Sequence, residues 1–251
     1  MEGPLSVALT AAGAHPAPEQ AVALDGLRFS WHAGARPIVD IPSLHIERGE
    51  RVLLRGPSGS GKSTLLSLVG GILQPDLGTV RVLGQDLSAL GGAARDRYRA
   101  DHIGIIFQLF NLIPYLSMIE NVCLPCGFSP RRRAQATAAG GVRAEALRLL
   151  AQLGLSDPAL LLRPVTELSV GQQQRVAAAR ALIGAPGLVI ADEPTSALDA
   201  ERRAAFIDLL FRECARVEAT LLFVSHDASL PAQFDRSLEF VGLNRATAPE
   251  S

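Results

Sequence analysis

The sequence predicts an α/β domain: a parallel sheet covered on both faces, an antiparallel β region ahead of it, and a helical block inserted between core strands. Three observations carry that reading. Apolar runs of strand length at 103–107, 188–191 and 221–224 are continuous rather than alternating, as strands buried on both faces are. A glycine-rich turn separates another short apolar run, 51–54, from a helical stretch at 63–72. Between Phe107 and Leu188, roughly 80 residues read mostly as helix, which suits an insertion into an α/β core.

Taken in order, residues 1–20 carry Gly3, Pro4, Gly13, Pro16 and Pro18, with Glu2 where a signal peptide would be basic. They are expected to form a flexible tail on a protein that is not secreted. Alternation in Leu27-Arg28-Phe29-Ser30-Trp31, continued at Ile41, Leu44 and Ile46, predicts antiparallel strands with one wet face. Residues 79–83 form another alternating strand between Gly78 and Gly84. Inside the insertion, helices are expected at 144–153 and 172–183. The Ala/Gly patch at 134–141 is compositional bias, and no internal repeat is present. Arg131-Arg132-Arg133 is the one dense charge run, expected on a solvated face of the insertion, with contact to anionic lipid headgroups as the alternative.

A chain of 251 residues is long enough to bury a full core. Its 24 basic and 25 acidic residues, net charge −1, argue against binding nucleic acid through a clustered excess of cations. No stretch is long and apolar enough to span a membrane. The cysteines are Cys123, Cys126 and Cys214, too few and odd in number for a disulfide framework. Cys123-Leu124-Pro125-Cys126 has redox spacing but lies mid-chain, after a short helix. Two small buried or half-buried side chains are therefore expected there. Of the 24 basic residues only Lys62 is lysine.

That lysine sits in the most informative segment. Gly56-Pro57-Ser58-Gly59-Ser60-Gly61-Lys62-Ser63 satisfies G-x-x-x-x-G-K-[ST] between a strand and a helix. Glycines let backbone N–H groups wrap phosphates, and the helix N-terminus adds about half a positive charge. Lys62 would reach the β- and γ-phosphates and the Ser63 hydroxyl would bind Mg²⁺. A nucleoside triphosphate is the expected ligand. Leu188-Val189-Ile190-Ala191-Asp192-Glu193 ends a buried strand in two carboxylates, Asp192 for Mg²⁺ and Glu193 to polarise the attacking water. Gln108 and His226 follow two other apolar strands, so four strands deliver polar groups at one end, where α/β sheets bind ligands. Ser169 and Gln172 have capping-box spacing at the start of a helix, with Gly171 between them. A second anion-binding helix start suggests a nucleotide held by another subunit. No lysine remains for the base-reading motif of a GTPase.

With these motifs in place, the chain resembles the nucleotide-binding subunit of an ATP-binding cassette (ABC) transporter over about residues 21–245. The resemblance implies a P-loop NTPase cassette with a RecA-like core, an antiparallel β subdomain and a helical subdomain inserted at about 109–180, leaving 246–251 as a C-terminal tail. It implies ATP, with Mg²⁺, sandwiched between two copies. Gly56 to Thr64 (Thr64 included) match the Walker A motif, Gln108 the Q-loop, and Leu168-Ser169-Val170-Gly171-Gln172 the signature. Asp192 and Glu193 match Walker B, Ser196-Ala197-Leu198-Asp199 the D-loop, and His226 the switch histidine. Val170 departs from the usual Gly. Phe29 and Trp31 compete for the aromatic that stacks on adenine, Trp31 lying about where the resemblance puts it. Glu193, His226 and Gln108 are then the catalytic set.

The family works with a separate integral-membrane permease, here expected near residues 108–115, with a homodimer of the ATPase and no nucleic acid. That places it at the cytoplasmic face of the inner membrane. Ala191-Asp192-Glu193-Pro194 and Glu120-Asn121-Val122-Cys123-Leu124-Pro125 resemble the branch that extrudes lipoproteins and macrolides. Thr195-Ser196-Ala197-Leu198-Asp199 resembles polar amino-acid importers instead, and a regulatory ATPase that remodels the envelope would share every motif.

Overall fold

Two sheets organise the chain. The computed structural model describes residues 19–196, 198–227 and 230–247; Ala197 of the expected D-loop, residues 1–18 of the expected N-terminal tail and 248–251 lie outside the described residues. Strands β1 (Gln20–Phe29) and β2 (Val39–Glu47) pair antiparallel, and β4 (Leu77–Val82) and β5 (Gln85–Asp86) complete a four-stranded sheet in the order β2-β1-β4-β5. The alternation read from residues 27–46 is that of β1 and β2. Gln20, expected in the tail, already belongs to β1.

The second sheet is parallel, ordered β6-β7-β8-β3-β9, from β3 (Arg51–Arg55), β6 (Ile103–Ile106), β7 (Leu188–Asp192), β8 (Thr220–Val224) and β9 (Arg236–Glu239). Its two faces feed two cores. Leu53, Ile106, Val189, Ala191, Leu221 and Phe223 pack into the helical side. Val52, Leu54, Ile190, Leu222 and Val224 pack toward the antiparallel sheet and α1 (Lys62–Val69). Continuous apolar strands are what two-sided burial requires.

Helix α2 (Gly92–His102) leads into β6. Between β6 and β7 lie α3 (Met118–Phe128), α4 (Pro130–Ala138), α5 (Val142–Gln152), α6 (Pro158–Leu161) and α7 (Val170–Leu182), which together form the helical insertion. Helix α8 (Ala200–Arg216) connects β7 to β8, and α9 (Phe240–Leu243) follows β9. Cys126 is buried and Cys123 half-buried on α3, with burial raising both thiol pKa values.

The arginine run requires a correction. Arg131 and Arg133 are exposed, but Arg132 is 2% exposed and donates to Ile103 O, Ala181 O and Ile183 O. The carbonyls at the C-terminal end of α7 have no intrahelical donors, and a guanidinium supplies several N–H groups in one plane. A side chain from α4 therefore ties the insertion to β6. Across the same boundary, Arg148 and Arg216 each pair with both Glu145 of α5 and Glu213 of α8.

Candidate active site

The parallel register gathers the site. Leu54 pairs with Val224, Asp192 with Val224 and Ile106 with Ala191, so β3, β8, β7 and β6 end side by side. Each of these strands runs out into polar groups: the Gly56 loop, Ser225-His226, Asp192-Glu193 and Gln108. A cleft of about 460 Å³ beyond the strand ends is lined by Trp31, Ile38, Ser58, Gly59, Gly61, Lys62, Ser63, Thr64, Gln108 and Glu193.

Within the loop, Gly59 (φ 76°) and Gly61 (φ 105°) adopt left-handed backbone that side chains resist. At Gly61 a Cβ would also stand 3.0 Å from Ile38 O. Gly61 caps α1 without a side-chain acceptor, which leaves the first-turn N–H groups of Lys62, Ser63 and Thr64 to an anion. Lys62 is 6% exposed, and its ammonium donates to Gly56 O and Pro57 O, both at 2.8 Å. Ser60 Oγ is buried without a hydrogen-bond partner among the described residues. A phosphate chain fits this cradle.

Burial is the main reason that the Asp192 carboxyl lies above the usual range; the Ser63 hydrogen bond opposes it, Glu193 raises it further and Lys62 lowers it. Ser63, Asp192 and Gln108 offer hard oxygen donors at one cleft. Among the described residues no cluster of three His, Cys, Asp or Glu side chains could hold a metal alone. That donor set fits Mg²⁺, which is held by few protein oxygens together with phosphate and water.

Glu193 has φ 44°, a left-handed conformation that a residue with a Cβ keeps only where its surroundings impose it. Its N–H donates to Val224 O at 3.1 Å, and its Oε2 lies 3.0 Å from His226 Nδ1. The carboxylate is 15% exposed and the imidazole 60%. The ring is thus free to meet a ligand while one nitrogen faces the acid.

Of the two competing aromatics, Phe29 is buried in the core and Trp31 is 57% exposed at the cleft, edge-on to Phe29 at 5.2 Å. The structure thus brings together Trp31, the glycine loop, Gln108, Asp192, Glu193 and His226. It does not bring the signature there. Ser169, Val170, Gly171 and Gln172 line a separate surface cavity with Arg175, Leu198 and Arg202, sharing no residue with the cleft. The capping box closes in both directions: Ser169 N–H donates to Gln172 Oε1 and Gln172 N–H donates to Ser169 Oγ.

Two further contacts lie beside these surfaces, one at Asp199 of the expected D-loop and one at Arg203, which no motif includes. Asp199 accepts from Arg202 N–H as N-cap of α8. Arg203 donates to Leu198 O and pairs with Asp227, the neighbour of His226. The Asp199 cap is readable as Asp before a helical run; the Arg203 contact has no local signal.

A family model described as ABC transporter matches residues 39–196. The lipoprotein-releasing system ATP-binding protein LolD of Anaeromyxobacter dehalogenans is 43% identical over 230 residues, covering 91% of this chain and 93% of that protein. The macrolide export ATP-binding/permease protein MacB of Rhodopseudomonas palustris is 38% identical over 236 residues, 92% of this chain and 35% of that protein. Among solved structures, the ATP-binding cassette MJ0796, in a dimeric post-hydrolysis state bound to ADP and Pi, has a TM-score of 0.77 at 32% identity, covering 92% of this chain and 97% of that one.

Proposed function

The chain belongs to the ABC transporter family and is an ATPase, and from that premise we propose that it powers a separate membrane permease that moves its cargo outward. Two copies close head to tail on two ATP. Each cleft supplies Lys62, the glycine loop and Trp31, and each signature face, Ser169 to Gln172, closes on the other copy's nucleotide. The observation that carries this reading is the Glu193–His226 contact beside a phosphate cradle, on a chain whose signature lies elsewhere.

Ser63, Asp192 and Gln108 would hold Mg²⁺, which supplies charge neutralisation at the phosphates when bound. Lys62 binds the phosphate oxygens. Glu193 orients and polarises the attacking water, and His226 steadies the γ-phosphate region through its exposed ring. Trp31 presents an open face to the base.

The membrane partner is proposed to seat in a groove of about 460 Å³ whose lining includes Phe107, Asn111, Pro125 and Phe128. Phe128 is 74% exposed, and Leu109 and Tyr115 on the same loop region as Gln108 are exposed as well. Such apolar exposure suits a docking surface. Among the described residues no helix is long and apolar enough to cross a membrane; peripheral attachment at the cytoplasmic face through that permease is proposed from the likeness to ATP-binding subunits of transporters. The names of the lipoprotein-releasing and macrolide-export relatives support outward transport. Co-purification with the membrane partner tests the direction: a permease without a solute-binding protein is expected, and a bound solute-binding protein would turn the reading to import.

A further inference from the structure

One residue beyond Gln108 the chain adopts two consecutive left-handed residues, Phe110 (φ 61°) and Asn111 (φ 47°). Asn tolerates this backbone, but Phe110 keeps it only where its surroundings hold it. The holder comes from α7. Arg180 donates from Nη2 to Phe110 O and from Nη1 to Asn111 O, each at 2.6 Å. Burial lowers its pKa, with no carboxylate offsetting that effect. A half-buried cation is thus committed to two carbonyl dipoles, which an apolar filler of the same space would not require.

The position of this clamp gives it meaning. Arg180 and Asn111 both line the groove between core and insertion, while Gln108 lines the nucleotide cleft on the other side of the same loop. The other end of α7 is the Ser169 cap. We propose that Arg180 is a positioning residue that locks the Gln108 loop to the signature helix, so that Gln108 sits in the cleft only when α7 is seated against it. This rests on reading Gln108 as part of the nucleotide site.

The test combines binding and turnover in the purified chain. In a Glu193→Gln background with ATP present, Mg²⁺ is titrated and the emission of Trp31, the only tryptophan, reports binding; turnover is measured with Glu193 intact. Gln108→Ala and Arg180→Gln are each expected to raise the Mg²⁺ midpoint and lower kcat by roughly tenfold, with the double variant no worse than either. Arg180→Lys, with one compact donor group, should fall between wild type and Arg180→Gln, and it carries the comparison if melting curves show Arg180→Gln unfolded. Additive losses in the double variant would overturn the proposal while leaving Gln108 in the site. No effect of Gln108→Ala would overturn the reading of Gln108 and the proposal together.

Discussion

The cleft around Lys62 and the face around Ser169 are proposed to bind the same phosphates, yet they are built in opposite ways. The cleft is assembled from four strand ends, with a buried lysine, a left-handed Glu193 and a carboxyl raised by burial. The face is one helix start on the insertion, closed by a reciprocal cap, with Val170 52% exposed. The cleft gathers the groups proposed to act in hydrolysis; the face is proposed to supply only a closing wall. The two share no lining residue, which is the separation that a site completed by a second chain, as proposed, would require.

The largest expected effect breaks the cleft alone. Glu193→Gln should lower turnover by a factor on the order of 10²–10⁴ while ATP binding survives and ATP traps a dimer visible by gel filtration. Next comes the anchorage of the face. Arg132→Met leaves three buried carbonyls short of a donor at about 1 kcal/mol each, so the loss should be roughly 3 kcal/mol. For a domain of this size that lowers the melting temperature by about 6–12 °C. Trp31→Ala should weaken ATP binding by about 1–3 kcal/mol in a direct titration, with Phe29→Leu acting on stability instead.

The smallest effect is a shift of the pH profile. Protonated Asp192 is a poor metal ligand, and its pKa is raised, so activity should fall as pH drops through a value above the ordinary carboxylate range. A pH–rate profile of kcat/KM with its acid limb at or below that range would contradict the assignment.

The same contrast explains what the sequence reveals. The cleft is legible because each part leaves a local trace: continuous apolar strands, a glycine loop with its lysine, and acids at a strand end. The Ser169–Gln172 cap is legible for the same reason. Arg132 is not, because a run of three arginines looks solvated and nothing local announces that α7 ends where a donor is needed. Strand β9 has half-exposed residues at the sheet edge and no apolar run, so it leaves no signal. The left-handed Glu193 and the Arg203–Asp227 pair arise from packing across distant segments, which spacing along the chain does not encode.

The claim that one site is shared by two chains is tested most directly by mixing two inactive variants. Lys62→Arg replaces a compact ammonium with a planar group that the loop does not fit, disabling the cleft but not the face. Gly171→Asp disables the face: a Cβ there meets only Leu198 at 3.9 Å, so the fold accepts it, while the carboxylate repels phosphate. Each should be nearly inactive alone. In an equal mixture, half of the dimers should be mixed and carry one intact composite site out of two, restoring about a quarter of wild-type ATPase activity. Activity no greater than the sum of the two variants would contradict a site built from two chains.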